Sequence, residues 1–391
     1  MDALVRLVRD EGARVLATLV RLTGSLELAE DATQDAIERA LLTWPRDGVP
    51  DNPRAWLIVT AKRRAVDLIR REAQRPAKEA LAMLPEDQVA PDTDLLSLIF
   101  TCCHPALSLD AQVALALRTL GGLATDEVAR ALLVPEPTMA KRLTRARQKI
   151  QNARIPYRVP PDADLPERLN GVAATVYLIF NKAYDDPQAA GLAGEAVRLA
   201  RMLAGLMPDE PTALGLLALL LLQDSRRAAR LDPSGPLVLL PDQDRSRWDR
   251  AAIREGVTIL GTALRRSPVR PDRYAVQAAI AACHALAPTY AQTAWDAVIS
   301  WYDVLLTVQD TPVVRLNRAA AVAERDGPSA GLALVARLSG LESYPWWHAT
   351  RAELLSRLGD VPAARTAYCA ALALELSAPQ RSHLESRLAA L

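Results

Sequence analysis

Apolar residues along this chain recur at helical rather than alternating intervals. Leu4, Leu7, Val8, Val15, Leu19 and Leu22 keep near-helical spacing, and Gly24-Ser25 breaks the pattern. The spacing predicts a second helix from Leu26 to Thr43, ending before Pro45, and a third that follows Pro53 and runs to Arg71. Proline suits a first helical turn because its missing N–H would have no partner there anyway. Residues 73–92 hold Pro76, Pro85 and Pro91 among mixed charges with weak periodicity, which reads as a linker between separately placed modules. Helical spacing resumes at 93, and the stretch Arg154-Ile155-Pro156-Tyr157-Arg158-Val159-Pro160-Pro161 marks a further boundary. From Leu165 onward, helical segments alternate with short Pro/Gly/Asp turns. The expected plan is a module over 1–75, a linker over 76–92, a second module over 93–158, and a helical domain over 159–391.

Composition agrees with an all-α fold. Half of the 391 residues are hydrophobic, glycine numbers only 17, and no Val/Ile/Thr alternation of the kind sheets need is present. The most apolar run, Leu214 to Leu222, begins just after Pro211 and stops at Gln223-Asp224; it is too short to span a bilayer and reads as a buried helix. Near the end, Gly327-Pro328 and Gly359-Asp360-Val361-Pro362 each follow a predicted helix. Ala352, Gly359, Ala364, Tyr368 and Ala371 keep the spacing of a tetratricopeptide unit, where small residues let two antiparallel helices approach and an aromatic fills the gap.

Net charge changes the picture only when read locally. The formal total is +1, yet residues 27–51 carry seven acids against Arg39 and Arg46, residues 54–78 carry eight bases against Asp67 and Glu72, and residues 137–154 carry six bases and no acid. Patches of this size suggest one surface for a protein and others for a polyanion. Four cysteines without a paired framework, and a charge-interrupted N-terminus with no apolar core, lead to the expectation of a cytoplasmic protein with no membrane partner.

The sharpest local signal runs from Thr125 to Ile150. Thr125 is placed to cap a helix whose first turn carries Asp126 and Glu127, favourable against the helix dipole. Val134-Pro135 interrupts that helix, and Pro137 restarts another with Met139, Leu143, Ala146 and Ile150 on one apolar stripe. Its other face presents Lys141, Arg142, Arg145 and Lys149. A basic amphipathic helix alone is more often a solvated surface. A short acidic-capped helix, a tight turn and a basic second helix together make a helix-turn-helix, and Thr138, Lys141, Arg142, Arg145 and Lys149 become the candidate DNA contacts.

Upstream, Asp31, Gln34, Asp35 and Glu38 fall at i, i+3, i+4 and i+7, one acidic stripe beside an alanine-rich face. Trp44-Pro45 follows, then Asn52-Pro53-Arg54-Ala55-Trp56-Leu57 and the basic stretch Lys62 to Arg71. This order resembles the extracytoplasmic-function (ECF) sigma factors, which share an AED-containing helix, then Trp, then N-P-x-x-W-L, then a basic helix. The stretch holding Val134, Thr138, Arg142, Leu143, Arg145, Ala146 and Arg147 resembles their promoter −35 reader. Ile99-Phe100-Thr101-Cys102-Cys103-His104-Pro105 and Leu165-Pro166-Glu167-Arg168-Leu169 resemble the subgroup with a fused tetratricopeptide-like C-terminal domain; where relatives carry Asn-Glu-Gly-Tyr, this chain has Asn181-Lys182-Ala183-Tyr184. The resemblance implies a factor that binds core RNA polymerase through Asp31, Gln34, Asp35 and Glu38. It implies that Trp56, Lys62, Arg63 and Arg70 meet the −10 element and that the linker passes through the polymerase. The C-terminal domain would then regulate the factor or receive a protein or peptide.

Cys102-Cys103-His104 lacks the C-x-x-C spacing of zinc sites, since adjacent cysteines on a helix point about 100° apart, and the expectation is buried thiols with no metal. Cys283-His284 reads the same way, and Trp295, Trp301, Trp346 and Trp347 read as helix packing, with an aromatic peptide groove as the alternative. No phosphate loop, H-E-x-x-H or nucleophile elbow is present, so neither an enzyme nor a cofactor is expected. Two functional readings remain: a sigma factor, and a helix-turn-helix regulator with a helical sensor domain that does not replace sigma.

Overall fold

The computed structural model describes residues 2–72, 92–132, 134–185, 190–230 and 238–391, without the side chains at 2–10, 69–72, 92, 183–185 and 190. The linker expected over 76–92 therefore lies almost entirely outside the described residues. Among the described residues there are 19 α-helices and no strands. The chain divides into two compact units, residues 1–206 and 207–391.

The first unit begins with α1 (Asp2–Thr23), α2 (Leu26–Asp47) and α3 (Pro53–Glu72). Ser25 caps α2 by accepting the Leu28 N–H, so the expected break at Gly24-Ser25 is a real turn. Asn52 likewise accepts the Ala55 N–H at the start of α3. The end of α2 differs from expectation. The helix continues through Pro45 to Asp47, and Gly48, at φ +86°, closes it by donating to the Trp44 carbonyl. Buried Trp44 anchors this last turn, so the single hydrogen bond that Pro45 cannot make does not end the helix.

α4 (Asp92–Cys102), α5 (Leu109–Leu115), α6 (Thr125–Ala131) and α7 (Glu136–Asn152) follow. α5 runs straight into one wide π-turn, Ala116–Leu120, which ends with the Gly121 N–H on the Ala116 carbonyl. α8 (Leu165–Asp185) and α9 (Ala190–Leu206) complete the unit, packing on each other and, in the case of α8, on α4 and α5. Arg168 donates to the Phe100 carbonyl at 2.7 Å, Thr175 to the Gln112 side chain at 3.0 Å, and Arg198 to the Leu120 carbonyl at 2.5 Å. At Gly121 any side chain would stand 2.5 Å from the Leu117 carbonyl oxygen and 3.0 Å from Glu195 Oε1, so the absent Cβ is what lets α9 come this close. The compact unit thus extends past the boundary expected at 158, and the prolines at 156, 160 and 161 lie in a turn inside it.

The second unit starts with α10 (Pro211–Asp224), whose residues Ala213 to Leu222 are all buried, as the apolar run predicted. It packs on α12 (Arg250–Arg266) and α13 (Arg273–Leu286), with the short α11 (Arg227–Arg230) between. α14 (Trp295–Val308), α15 (Pro312–Asp326), α16 (Pro328–Val335), α17 (Pro345–Arg357), α18 (Val361–Leu372) and α19 (Ala378–Ala389) continue the chain. Each layer of core is shared by helices adjacent in sequence. Val276, Ile299 and Val314 join α13, α14 and α15; Leu316, Val335 and Leu354 join α15, α16 and α17; Ala352, Tyr368 and Leu384 join α17, α18 and α19. Trp295 and Trp301 pack against the first layer, Trp347 against the second and Trp346 against the third, in keeping with the packing reading of the tryptophans. Gly327 (φ +95°) and Gly359 (φ +79°) hold the turns after α15 and α17 in the left-handed region.

Candidate nucleic-acid interface

The turn between α6 and α7 and the face of α7 carry the first group of candidate contacts. Ala124 is the N-cap of α6, and Glu127 folds back to accept its N–H at 2.8 Å. Thr125 is therefore the first helical residue and not the cap, a correction to the sequence reading; the acid three residues on does the capping because alanine has no acceptor. α7 begins at Glu136 after Pro135, with Pro137 in its first turn. Met139, Leu143 and Ala146 are buried beneath the helix, while Ile150 is half-buried.

That anchoring fixes which side chains face outward. Thr138, Lys141, Arg145 and Lys149 are exposed and Arg142 is half-buried. All five line one open hollow of about 510 Å³ with Ala106, Leu107, Ser108 and Ala111 from the start of α5 and the loop before it. Among the described residues Arg142 alone of the four bases has a side-chain ion pair, to Asp110 at 3.7 Å. A concave surface rimmed by cations above a largely apolar floor suits a phosphodiester backbone, whose charges the cations can neutralise.

The second group sits on α2 and α3. Asp31, Gln34 and Glu38 are exposed; Gln34 donates to Glu38 at 3.3 Å and receives Arg118 of the π-turn at 3.1 Å. Asp35 is half-buried and ion-paired with Arg64 of α3. The predicted stripe is thus continuous along the helix but partly engaged. Trp56 is half-buried, edge-on to Trp44 at 5.3 Å and 66°. One edge of Trp56 packs on buried Trp44, and the residue stays partly exposed. Arg63 is exposed and Lys62 half-buried on α3, and the Arg70 side chain lies outside the described residues. Arg54 pairs with Glu11 at 3.2 Å, tying α3 to α1.

Three further polar residues escaped the sequence reading. Glu30, 9% exposed, accepts Thr119 Oγ1 at 2.9 Å and Arg147 Nη2 at 2.5 Å, joining α2 to the π-turn and to α7. Tyr157 places its hydroxyl 2.6 Å from the Ala17 carbonyl and 2.8 Å from that of Asp94, and burial raises its pKa. In the second unit Arg245 lies over the Trp248 ring at 4.4 Å and donates at 2.7 Å to the carbonyls of His284 and Ala287, satisfying the C-terminal end of α13. None of these has a periodic sequence signature.

Among the described residues no cluster of three or more His, Cys, Asp or Glu could hold a metal ion. Cys102 and Cys103 are buried, and burial raises the first thiol well above its ordinary value and the second to about 12. Burial also lowers His284 to about 4, with Arg226 and Arg245 adding to the effect. Thiol labelling near pH 7 should therefore modify exposed Cys369 first and half-buried Cys283 more slowly. Cys102 and Cys103 should react about a hundredfold or more slowly until denaturant is added. Prompt native-state labelling of all four would contradict this packing.

Comparison with known proteins matches residues 7–75, spanning α1 to α3, to Sigma-70 region 2, and residues 97–150, spanning α4 to α7, to Sigma-70, region 4. The chain carries sigma-70 regions 2 and 4 in order. Residues 168–264 of this sigma factor match a family of unknown function, DUF6596, which takes in α8 to α12 and so crosses the division at 206/207. The factor is also 42% identical to an uncharacterized protein of Rhizobium meliloti (strain 1021), over 96% of this chain and 92% of that one, and the two belong to one family. Regions 2 and 4 mark a transcription initiation factor. No described helix is long and apolar enough to cross a membrane.

Proposed function

We propose that this chain is an ECF-type sigma factor that binds core RNA polymerase through α2, meets the promoter −10 element with α3 and reads the −35 element with α7. The observation that carries the reading is the hollow over α7, where Thr138, Lys141, Arg142, Arg145 and Lys149 converge on an apolar floor. Asp31, Gln34, Asp35 and Glu38 are assigned to the polymerase, and Trp56 with Lys62, Arg63 and Arg70 to the opened strand. An aromatic edge beside basic side chains suits that task, since unpaired bases stack on such rings.

The C-terminal helices are assigned a tetratricopeptide-like regulatory or docking role. Support comes from the two left-handed glycines, Gly327 and Gly359, in turns after α15 and α17, and from small buried residues between α17 and α18.

Purified full-length chain added to core RNA polymerase should start transcription at a defined site on a cognate promoter. DNA binding without initiation on any promoter, from a pool covering candidate −35 and −10 sequences, would favour the helix-turn-helix regulator that does not replace sigma.

A further inference from the structure

The first unit joins its two sigma regions through contacts between their helices. α1 packs on α4 as well as on α2 and α3, and Ala13 and Val15 to Val20 are all buried as a result. Asp94 of α4, itself buried, pairs with Arg21 of α1 at 2.8 Å. Tyr157, just past α7, spans the Ala17 and Asp94 carbonyls. On the neighbouring side, Glu30 takes both Thr119 and Arg147, and Arg118 reaches Gln34. Of the acidic residues on α2, Glu30 alone is buried.

Beside the apolar contact of α1 with α4, this joint has a polar part. A half-open hollow of about 290 Å³ lies beside it, walled by Thr33, Ile37 and Leu41 of α2 on one side and by Gly122, Ala124 and Glu127 on the other. Two polar atoms of its lining, Thr33 Oγ1 and Arg118 Nε, are buried with no hydrogen-bond partner. Unpaired buried polar atoms weaken a joint. Charged residues at its contacts are readily rehydrated on separation, as in interfaces between parts that part company.

We propose that this is a closed resting form of the sigma factor, latched at Glu30, in which region 4 occupies the α2 surface that core polymerase must take. The inference rests on the sigma reading above. Arg118 holds Gln34, a residue assigned to the polymerase, and Arg147 of the DNA-reading helix is spent on Glu30. Polymerase binding and closure therefore compete, and weakening the latch raises apparent polymerase affinity by the fraction of chain it releases.

The test uses the full-length chain and the variants Glu30→Gln and Thr119→Val. The second keeps the Glu30–Arg147 pair and nearly the same side-chain shape, so it reports on the joint even if the first folds poorly. Amide hydrogen exchange read over α1, α2 and α4 should accelerate in both. Transcription at limiting core polymerase should rise about fivefold for Glu30→Gln and less for Thr119→Val, converging with wild type at saturating polymerase. Faster exchange with unchanged polymerase affinity would overturn closure as a competitor. Lower affinity with unchanged exchange would make Glu30 a direct polymerase contact and overturn the latch. Wild-type chain that gave no transcript at any polymerase concentration would overturn the sigma reading itself, and the competition with it.

Discussion

Replacing Arg145 and Lys149 together by alanine is expected to weaken binding of a −35 promoter duplex by about 10–100-fold at moderate salt. Both side chains are exposed on α7 and neither makes a side-chain ion pair among the described residues, so their charge is available to phosphates without first breaking an internal contact. If each neutralises one phosphate, the slope of log affinity against log salt should become shallower by about 0.9 per contact removed. Stability should hardly move, because surface substitutions away from caps and cores stay within about 0.5 kcal/mol. Thr138→Ala should behave differently. As a residue in the first turn of the reading helix it is placed for base edges, so its loss should relax sequence preference while leaving the salt slope unchanged. Filter binding or fluorescence anisotropy over a salt series measures both quantities. A double variant with wild-type affinity and wild-type salt slope would remove α7 as the DNA-binding face.

Arg142 falls between these cases. It lines the same hollow but is half-buried and 3.7 Å from Asp110, so part of its charge is already balanced within the protein. Thr138, Lys141 and Arg145 follow from helical spacing once Met139 and Leu143 are known to face inward, and the sequence showed that directly. The hollow itself did not follow from spacing, because its far wall is Ala106 to Ser108 and Ala111, some thirty positions earlier.

The same distinction separates what was legible from what was not. α1 and α3 read correctly because amphipathic period and turn residues are local, and Gly24-Ser25 and Pro53 announce their turns. The end of α2 misread because proline was weighed as a breaker on its own, whereas the buried Trp44 beside it holds the last turn against Trp56. The Glu30 latch is a pairing across 89 residues with Thr119, and nothing in the local pattern marks one acid of a rich stripe as the buried one. Cys102-Cys103-His104-Pro105 was legible as a motif but not as a junction. Its cysteines are buried, the His104 and Leu107 carbonyls accept the Gln112 amide, and Gln112 in turn accepts Thr175 of α8. The segment belongs to the surface that receives the C-terminal extension.

That junction sets where the protein can be divided. A fragment ending at residue 158, the boundary that the prolines mark, loses α8 and with it Leu169, Val172, Val176, Ile179 and Phe180, all buried. Burial of each such side chain contributes about 1.5–3 kcal/mol. Stripping even half of them from the face of α4 and α5 removes roughly as much as the whole net stability of a domain, about 5–15 kcal/mol. The 1–158 fragment is expected to aggregate or melt without a cooperative transition and to expose Cys102 and Cys103 to labelling. A fragment of residues 1–206 keeps Arg168 on Phe100, Thr175 on Gln112 and Arg198 on Leu120. It is expected to unfold cooperatively, with both thiols protected. Circular dichroism melts and thiol labelling compare the two fragments, and a well-folded 1–158 would contradict the packing of α8. The 1–206 fragment is also the one that tests control by residues 207–391, since its sigma regions stay intact. If those residues regulate the factor, transcription from the fragment should differ from that of the full chain at equal polymerase and equal thermal stability. Equal output together with equal polymerase affinity would leave the C-terminal helices without a regulatory role, and loss of output from 1–158 alone would report only a broken core.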